Sequence, residues 1–190
     1  MRIIAGKWKS RKLESFFEQK SPALIRPTTD RVRENIFNII ESLNTGNHLL
    51  GAKVLDLFCG TGAMGLEALS RGADFCHFID NSIQAKRVTL LNIRKLGADE
   101  NSVFTMANIL NLNHNDRTRN DIVFLDPPYG KNLCEKAISM LLKYSWVKET
   151  TIFVLEQELK VEGNYGLRII DQRRYGRTNI SILSGLGLKI

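Results

Sequence analysis

From residue 53 onward the chain alternates short apolar runs with amphipathic stretches, and this alternation constrains the fold more than any other feature. "KVLDLF" (53–58), "FCHFID" (75–80), "SVFTMA" (102–107), "DIVFLD" (121–126) and "TIFVLEQ" (151–157) read as strands. They are short and apolar enough to be covered on both faces. Between them, residues 63–72, 82–97 and 132–146 carry helical spacing, with Gly72 and Gly97 as stops. Such a pattern predicts parallel βαβ units, a sheet with helices on both faces. Residues 166–176 and 178–186 are expected to pair as a closing antiparallel hairpin, which brings the sheet to seven strands. Upstream, Val32, Ile36, Ile39, Ile40 and Leu43 predict a helix over 30–43, capped by Thr29 or Asp30. The leading "MRIIAGKWKSRKLESF" predicts two short strands around Gly6 to Ser10. The chain thus divides into a basic N-terminal hairpin or arm, 1–27, and an α/β domain, 28–190.

Ligands of open parallel sheets bind beyond the carboxyl ends of the strands. That rule selects Asp56 to Gly62, Asp80, Asn108 and Asp126 to Tyr129. "DLFCGTGAMG" holds G-x-G-x-x-G at Gly60, Gly62 and Gly65, with Asp80 twenty residues beyond Gly60. Taken alone this fits a dinucleotide fingerprint. Asp56 argues otherwise, because a pyrophosphate gains nothing from a carboxylate aimed at it. A cofactor that carries an ammonium and a sulfonium does gain, and S-adenosylmethionine carries both. In that reading Gly60 and Gly62 let backbone approach the methionine end, Asp80 accepts the ribose hydroxyls, and Asn108 faces the adenine edge.

"LDPPYG" (125–130) ends the fourth of these strands. An exocyclic amine on a nucleobase is a poor nucleophile, because its lone pair is delocalised into the ring. Two acceptors for its N–H bonds would localise the lone pair and turn it toward a methyl donor. Asp126 supplies one and the Pro127 carbonyl the other; Pro128 stiffens the turn, and Tyr129 offers a face for the base to stack on. Catalysis of this kind is positioning plus electrostatics. The base must be unpaired or flipped out to enter.

Charge supports a polyanionic partner. Of the net +7, residues 1–33 hold nine Lys/Arg against three acids, and residues 168–190 hold five against one. The middle, 34–167, holds thirteen against sixteen. Basic ends on a slightly acidic body suit an enzyme core with an RNA-binding edge. Three cysteines without a C-x-x-C pair argue against a disulfide framework or zinc, and fit a reducing, cytoplasmic setting. His48, His77 and His114 form no ligand spacing, so no metal is expected, and His77 reads as structural. No apolar run suits a membrane span, and the N-terminus lacks the core of a secretory signal. No dimerisation signal is visible, so a monomer is expected.

"DLFCGTGAMGLEAL" with "LDPPY" resembles the class I S-adenosylmethionine-dependent amino-methyltransferases, whose sheet is Rossmann-like. "MRIIAGKWKSRKL", "RPTTDRVRENIFNII" and "YGRTNISIL" narrow this: together they are similar to the RsmD family, and the resemblance covers nearly the whole chain. That family methylates the exocyclic N2 of one guanine in 16S ribosomal RNA. The resemblance implies that Asp56, Gly60 and Gly62 contact the methionine part of the cofactor. It implies Asp80 for the ribose and Asn108 for the adenine, with Asn81 also counted among the cofactor-binding residues. Asp126, Pro127 and Tyr129 would be the catalytic set. Lys7, Trp8, Lys9, Arg11 and Lys12 would hold RNA phosphates and stack a base, with Arg31, Arg33 and Asn35 lining the cofactor and RNA side. Asn108 departs from the pattern, in which Asp is more usual; its amide oxygen can still accept from the adenine amine. A DNA adenine-N6 methyltransferase and a non-catalytic RNA-binding assembly factor are the alternatives. The small size weighs against the first, and the intact Asp56, Gly60, Asp80 and Asp126 against the second.

Overall fold

The computed structural model describes residues 1–16, 29–43, 48–112, 119–128, 133–157 and 165–185. Its strands are β1 Lys53–Leu57, β2 Phe75–Asp80, β3 Ser102–Met106, β4 Asn120–Leu125, β5 Val147–Gln157, β6 Arg168–Tyr175 and β7 Thr178–Ser184. They form one seven-stranded sheet in the order β3-β2-β1-β4-β5-β7-β6. Strands β1 to β5 pair in parallel, and β7 is antiparallel to both of its neighbours, β5 and β6. The helices are α1 Asp30–Ser42, α2 Ala63–Ser70, α3 Ile83–Leu96 and α4 Leu133–Lys143. This is the expected α/β architecture of a class I methyltransferase, with its closing hairpin.

The continuous apolar runs follow from burial on both faces. One core cluster joins Val54, Cys76, Phe78, Ile122, Phe124, Ile152 and Val154 to α1, α2 and α3. The alternate residues, Leu55, Leu57, Val123, Leu125, Phe153 and Leu155, meet α4 on the opposite face. Phe37 of α1 tilts against Phe124 at 5.6 Å, a pair contributing ~0.5–1.5 kcal/mol beyond its burial. Local signals set the helix ends. The Thr29 hydroxyl accepts from the Val32 N–H, the Ser82 hydroxyl accepts from the Ala85 N–H, and Gly97 closes α3 at φ 66°.

The N-terminal segment differs from the two-strand expectation. A single antiparallel bridge, Arg2 to Lys12, flanks a 3-10 turn at Gly6–Trp8. Helix α2 takes the backbone groups that a longer ladder would need. The Glu67 carboxylate accepts from Ile4 N–H (2.7 Å) and Ala5 N–H (3.0 Å). The Ser70 hydroxyl accepts from Trp8 N–H and donates to the Ala5 carbonyl. A Cβ on Gly6 would lie 1.8 Å from the Ser70 carbonyl oxygen, so only glycine permits this approach. Glu67 is fully buried, and its charge is met by Arg71 Nε at 2.8 Å. Ile3 and Leu13 belong to the same core as α1 to α3, so this segment packs as part of the domain body.

Candidate active site

The topology makes one crevice. From β1 the chain steps outward through β2 to β3, then returns to the other side of β1 as β4. This reversal is where an open α/β sheet binds its ligand. Leu57 pairs with both Ile79 and Leu125, and Leu125 pairs with Leu155. The next residue on each strand therefore stands level at the carboxyl edge: Phe58, Asp80, Asp126 and Glu156. Phe58 holds φ 57°, a left-handed conformation that is unusual for a bulky side chain and marks strain at the switch point.

The glycine loop between β1 and α2 is held from three sides. Asp80 accepts from Gly60 N–H through Oδ2 (3.0 Å) and from Ser82 N–H through Oδ1 (2.8 Å). Asp56 accepts from Gly65 N–H at 2.9 Å. From α3, the Thr89 hydroxyl donates to the Gly60 carbonyl and Asn92 Nδ2 donates to the Thr61 carbonyl, each at 2.9 Å. The same Asn92 amide accepts from Glu14 N–H and donates to the Glu14 carbonyl, so it ties the N-terminal segment to the loop. The three glycines serve different ends. A Cβ on Gly65 would lie 2.4 Å from Cys76 Sγ and from the Phe78 ring, so this glycine serves helix-on-strand packing. Gly62 enters α2 at φ 76°. Gly60, at φ 55°, has nothing nearer its missing Cβ than 3.9 Å, so it leaves room at the loop.

Carboxylates dominate the electrostatics. Asp56 is 3% exposed, and burial, opposed by the Gly65 N–H and reinforced by Asp80, pushes its pKa up to about 8. Asp126 opens to solvent at the crevice mouth. Desolvation by the surrounding protein, then the Glu156 and Asp56 charges, raise its pKa above the ordinary carboxylate range, and its contact with water tempers the effect. Carboxylates set this close resist ionising together. A cationic ligand would relieve that resistance, and an anionic one would meet repulsion.

The fold brings Asp56, Gly60, Gly62, Asp80, Asn81, Asn108, Asp126 and Pro127 to this edge. Asn81 is exposed just after β2. Asn108 is exposed, and its Oδ1 accepts from Leu110 N–H, capping a short 3-10 turn. Tyr129 lies outside the described residues. The basic N-terminal residues take another place. Lys7, Trp8 and Lys9 sit beside Ser70, where α2 ends, and α2 runs back from the glycine loop to the amino edge of the sheet. Eight residues of helix put that turn about 12 Å from the loop. Lys7, Lys9, Arg11 and Lys12 are exposed; Trp8 is half-buried against the core, with the Lys7 ammonium 4.3 Å from its ring centre. Arg31 is exposed at the start of α1 and Asn35 half-buried. Arg33, expected to face RNA, is only 1% exposed; its guanidinium donates to the Arg2 carbonyl and to Asp30. Burial lowers its pKa against the pull of Asp30 and Glu67.

Thr89 and Asn92 escaped the sequence reading. Both are fully buried, yet both stand on the apolar face of α3 with Ala85, Val88 and Ile93. Polar residues at core-facing positions were the available signal.

The family model "Conserved hypothetical protein 95" matches residues 1–184. "Ribosomal RNA small subunit methyltransferase D" of Escherichia coli (strain K12) is 36% identical over 160 residues, which span 84% of this chain and 76% of that protein. "Ribosomal RNA small subunit methyltransferase D" of Haemophilus influenzae is 34% identical over 161 residues, 83% of this chain and 79% of that one. A solved structure described as "Putative methyltransferase yhhF from Escherichia coli" superposes with a TM-score of 0.81 at 31% identity, covering 97% of both chains.

Proposed function

Because the chain belongs to the RsmD family of ribosomal RNA methyltransferases, we propose that it transfers a methyl group to the exocyclic N2 of a guanine in 16S RNA of the small subunit. The single observation that carries this reading is the level row of Asp80, Phe58 and Asp126 at the switch point. It sets a glycine loop and an amine-orienting acid side by side.

The donor set suits S-adenosylmethionine. Asp56 and Asp80 offer carboxyl acceptors that a bound cation helps to ionise, which favours a ligand with an ammonium and a sulfonium over one with phosphates. When bound, this cofactor supplies an electrophilic methyl group on a positively charged sulfur. Asp56 would answer its positive charge from beneath the loop, Asp80 would accept the ribose hydroxyls, and Asn108 would face the adenine, with Asn81 beside Asp80. Gly60 gives the loop backbone its close approach.

On the other side of the crevice Asp126 accepts one N–H of the guanine amine, and the Pro127 carbonyl accepts the second. The lone pair is then fixed along one direction instead of spread into the ring. Tyr129 provides the stacking face. Asp126 need not remove a proton before attack. The nitrogen sheds its proton after it is methylated. Arg31 and the exposed Lys7, Lys9, Arg11 and Lys12, with Trp8, contact RNA away from the reacting base.

Asp126→Ala tests the assignment. Removing the orienting acceptor lowers kcat by at least ~10²-fold, as loss of one preorganised electrostatic partner does, while the cofactor dissociation constant, read by calorimetry, changes little. Full transfer activity in this variant would overturn the mechanism.

A further inference from the structure

The register places a cationic turn level with Asp126. Leu125 pairs with Leu155, so Asp126 stands beside Glu156; Glu156 pairs with Ile180, and Ile180 pairs with Arg173. Arg173 therefore lies in the same row as Asp126, three interstrand spacings away, about 14 Å. Arg174 is one row farther out, opposite Asn179, and Arg177 sits in the turn between Tyr175 and Thr178. The turn thus projects from the carboxyl edge, where the crevice opens. Arg173, Arg174 and Arg177 are all exposed.

Two of these guanidinium groups are preset. Asp171 holds Arg173 by two bonds, 3.0 and 3.2 Å. Arg174 Nε donates to the Gly176 carbonyl at 2.9 Å, which fixes the group over the turn. Gly176 has open space around its missing Cβ among the described residues, while Tyr175 beside it packs on the core and anchors the turn. Relative to Asp126, the loop, Asp80 and Asn108 lie toward β1, β2 and β3, and the cationic turn lies on the opposite side. The Lys7–Lys9 turn is docked at the far end of α2. A strand of RNA whose target base enters at Asp126 and which leaves over β5 and β7 meets these arginines. The fork of an arginine matches phosphate oxygens bidentately.

We propose that the β6–β7 turn grips backbone phosphates of the RNA strand flanking the target base, with Arg174 and Arg177 as phosphate ligands and Arg173 supporting them. This rests on the reading of the substrate as RNA. A purely structural role is the competing account: charge on an edge strand discourages edge-to-edge pairing.

The test compares the wild-type chain with Arg174→Ala/Arg177→Ala. The first probe is a mixed-sequence single-stranded RNA oligonucleotide, titrated across a salt series. Two lost phosphate contacts flatten the slope of log affinity against log salt by about 1.4. Arg174→Lys/Arg177→Lys keeps the slope, because it keeps the charges. With small-subunit ribosomal RNA as methyl acceptor, the alanine pair raises KM by about tenfold and leaves kcat and cofactor affinity unchanged. If the double variant fails to fold, Arg177→Ala alone flattens the slope by about 0.7. An unchanged slope with an unchanged KM overturns the proposal and assigns the arginines to edge protection. The oligonucleotide arm separates the two readings: a wild-type chain that methylates no RNA refutes the proposed function, whereas the salt slope still judges the turn.

Discussion

Asp56 is a carboxyl group that the fold holds against its own ionisation, and replacing it with asparagine exposes the consequence. In the folded chain its pKa is raised from 3.8 to about 8, burial being the main cause. The folded value lies above the unfolded one. The contribution of this group to stability is therefore fully present below about pH 3.8 and is lost as pH rises toward about 8. Within that window the loss accumulates at up to about 1.4 kcal/mol per pH unit, so near neutrality it reaches about 4 kcal/mol. Asparagine cannot ionise and escapes this penalty. Its carbonyl oxygen keeps the acceptor for Gly65 N–H, and its buried NH2 group costs ~1–3 kcal/mol if unpartnered. Asp56→Asn is thus expected to be about 1–3 kcal/mol more stable than wild type near neutral pH. Urea unfolding from about pH 5 to about pH 8 reads this directly. The difference between the two curves isolates Asp56 from Asp126, which pulls the same way. The variant also cannot ionise when a cationic cofactor binds, so its cofactor affinity falls by about 10- to 100-fold. Equal stability and equal pH slopes in the two proteins would refute the reasoning, because they would mean that Asp56 ionises normally in the folded chain.

Other perturbations follow from the same geometry. Gly65→Ala drives a methyl group into Cys76 Sγ and the Phe78 ring, 2.4 Å from each, and is expected to destabilise the chain by ~1–3 kcal/mol in urea denaturation. Asn92→Leu leaves Glu14 N–H and the carbonyls of Glu14 and Thr61 without their amide partner. We expect a loss of ~2–4 kcal/mol in thermal or urea unfolding, and weaker cofactor binding because the glycine loop loses a support.

Much of the site was legible because strand ends announce themselves. An acid that closes an apolar run, at Asp80 and Asp126, with Asp56 inside the run between them in the sheet, needs only parallel pairing to become one cluster, and the observed register supplies it. The helices were legible from spacing, since α1 shows its apolar face at Val32, Ile36, Phe37 and Ile40. The same spacing carried a warning about Arg33, which stands three and four residues before Ile36 and Phe37 on that face and is buried with them. The N-terminal segment was less legible. Its strand-like pattern could not reveal that Glu67 and Ser70, more than sixty residues away, would claim its backbone groups. Charge was least legible. A count of basic residues gives no direction, and only the sheet register separates Arg173, Arg174 and Arg177 at the reacting edge from Lys7 and Lys9 at the opposite end of α2.

The most direct test of the account is methyl transfer from labelled S-adenosylmethionine, with unmethylated small ribosomal subunits, free 16S RNA and duplex DNA offered side by side and the products digested to nucleosides. The account predicts label in N2-methylguanosine from the subunit or the RNA, lost in Asp126→Ala. Label in N6-methyladenine of DNA, or cofactor binding with no label in any acceptor, would contradict it.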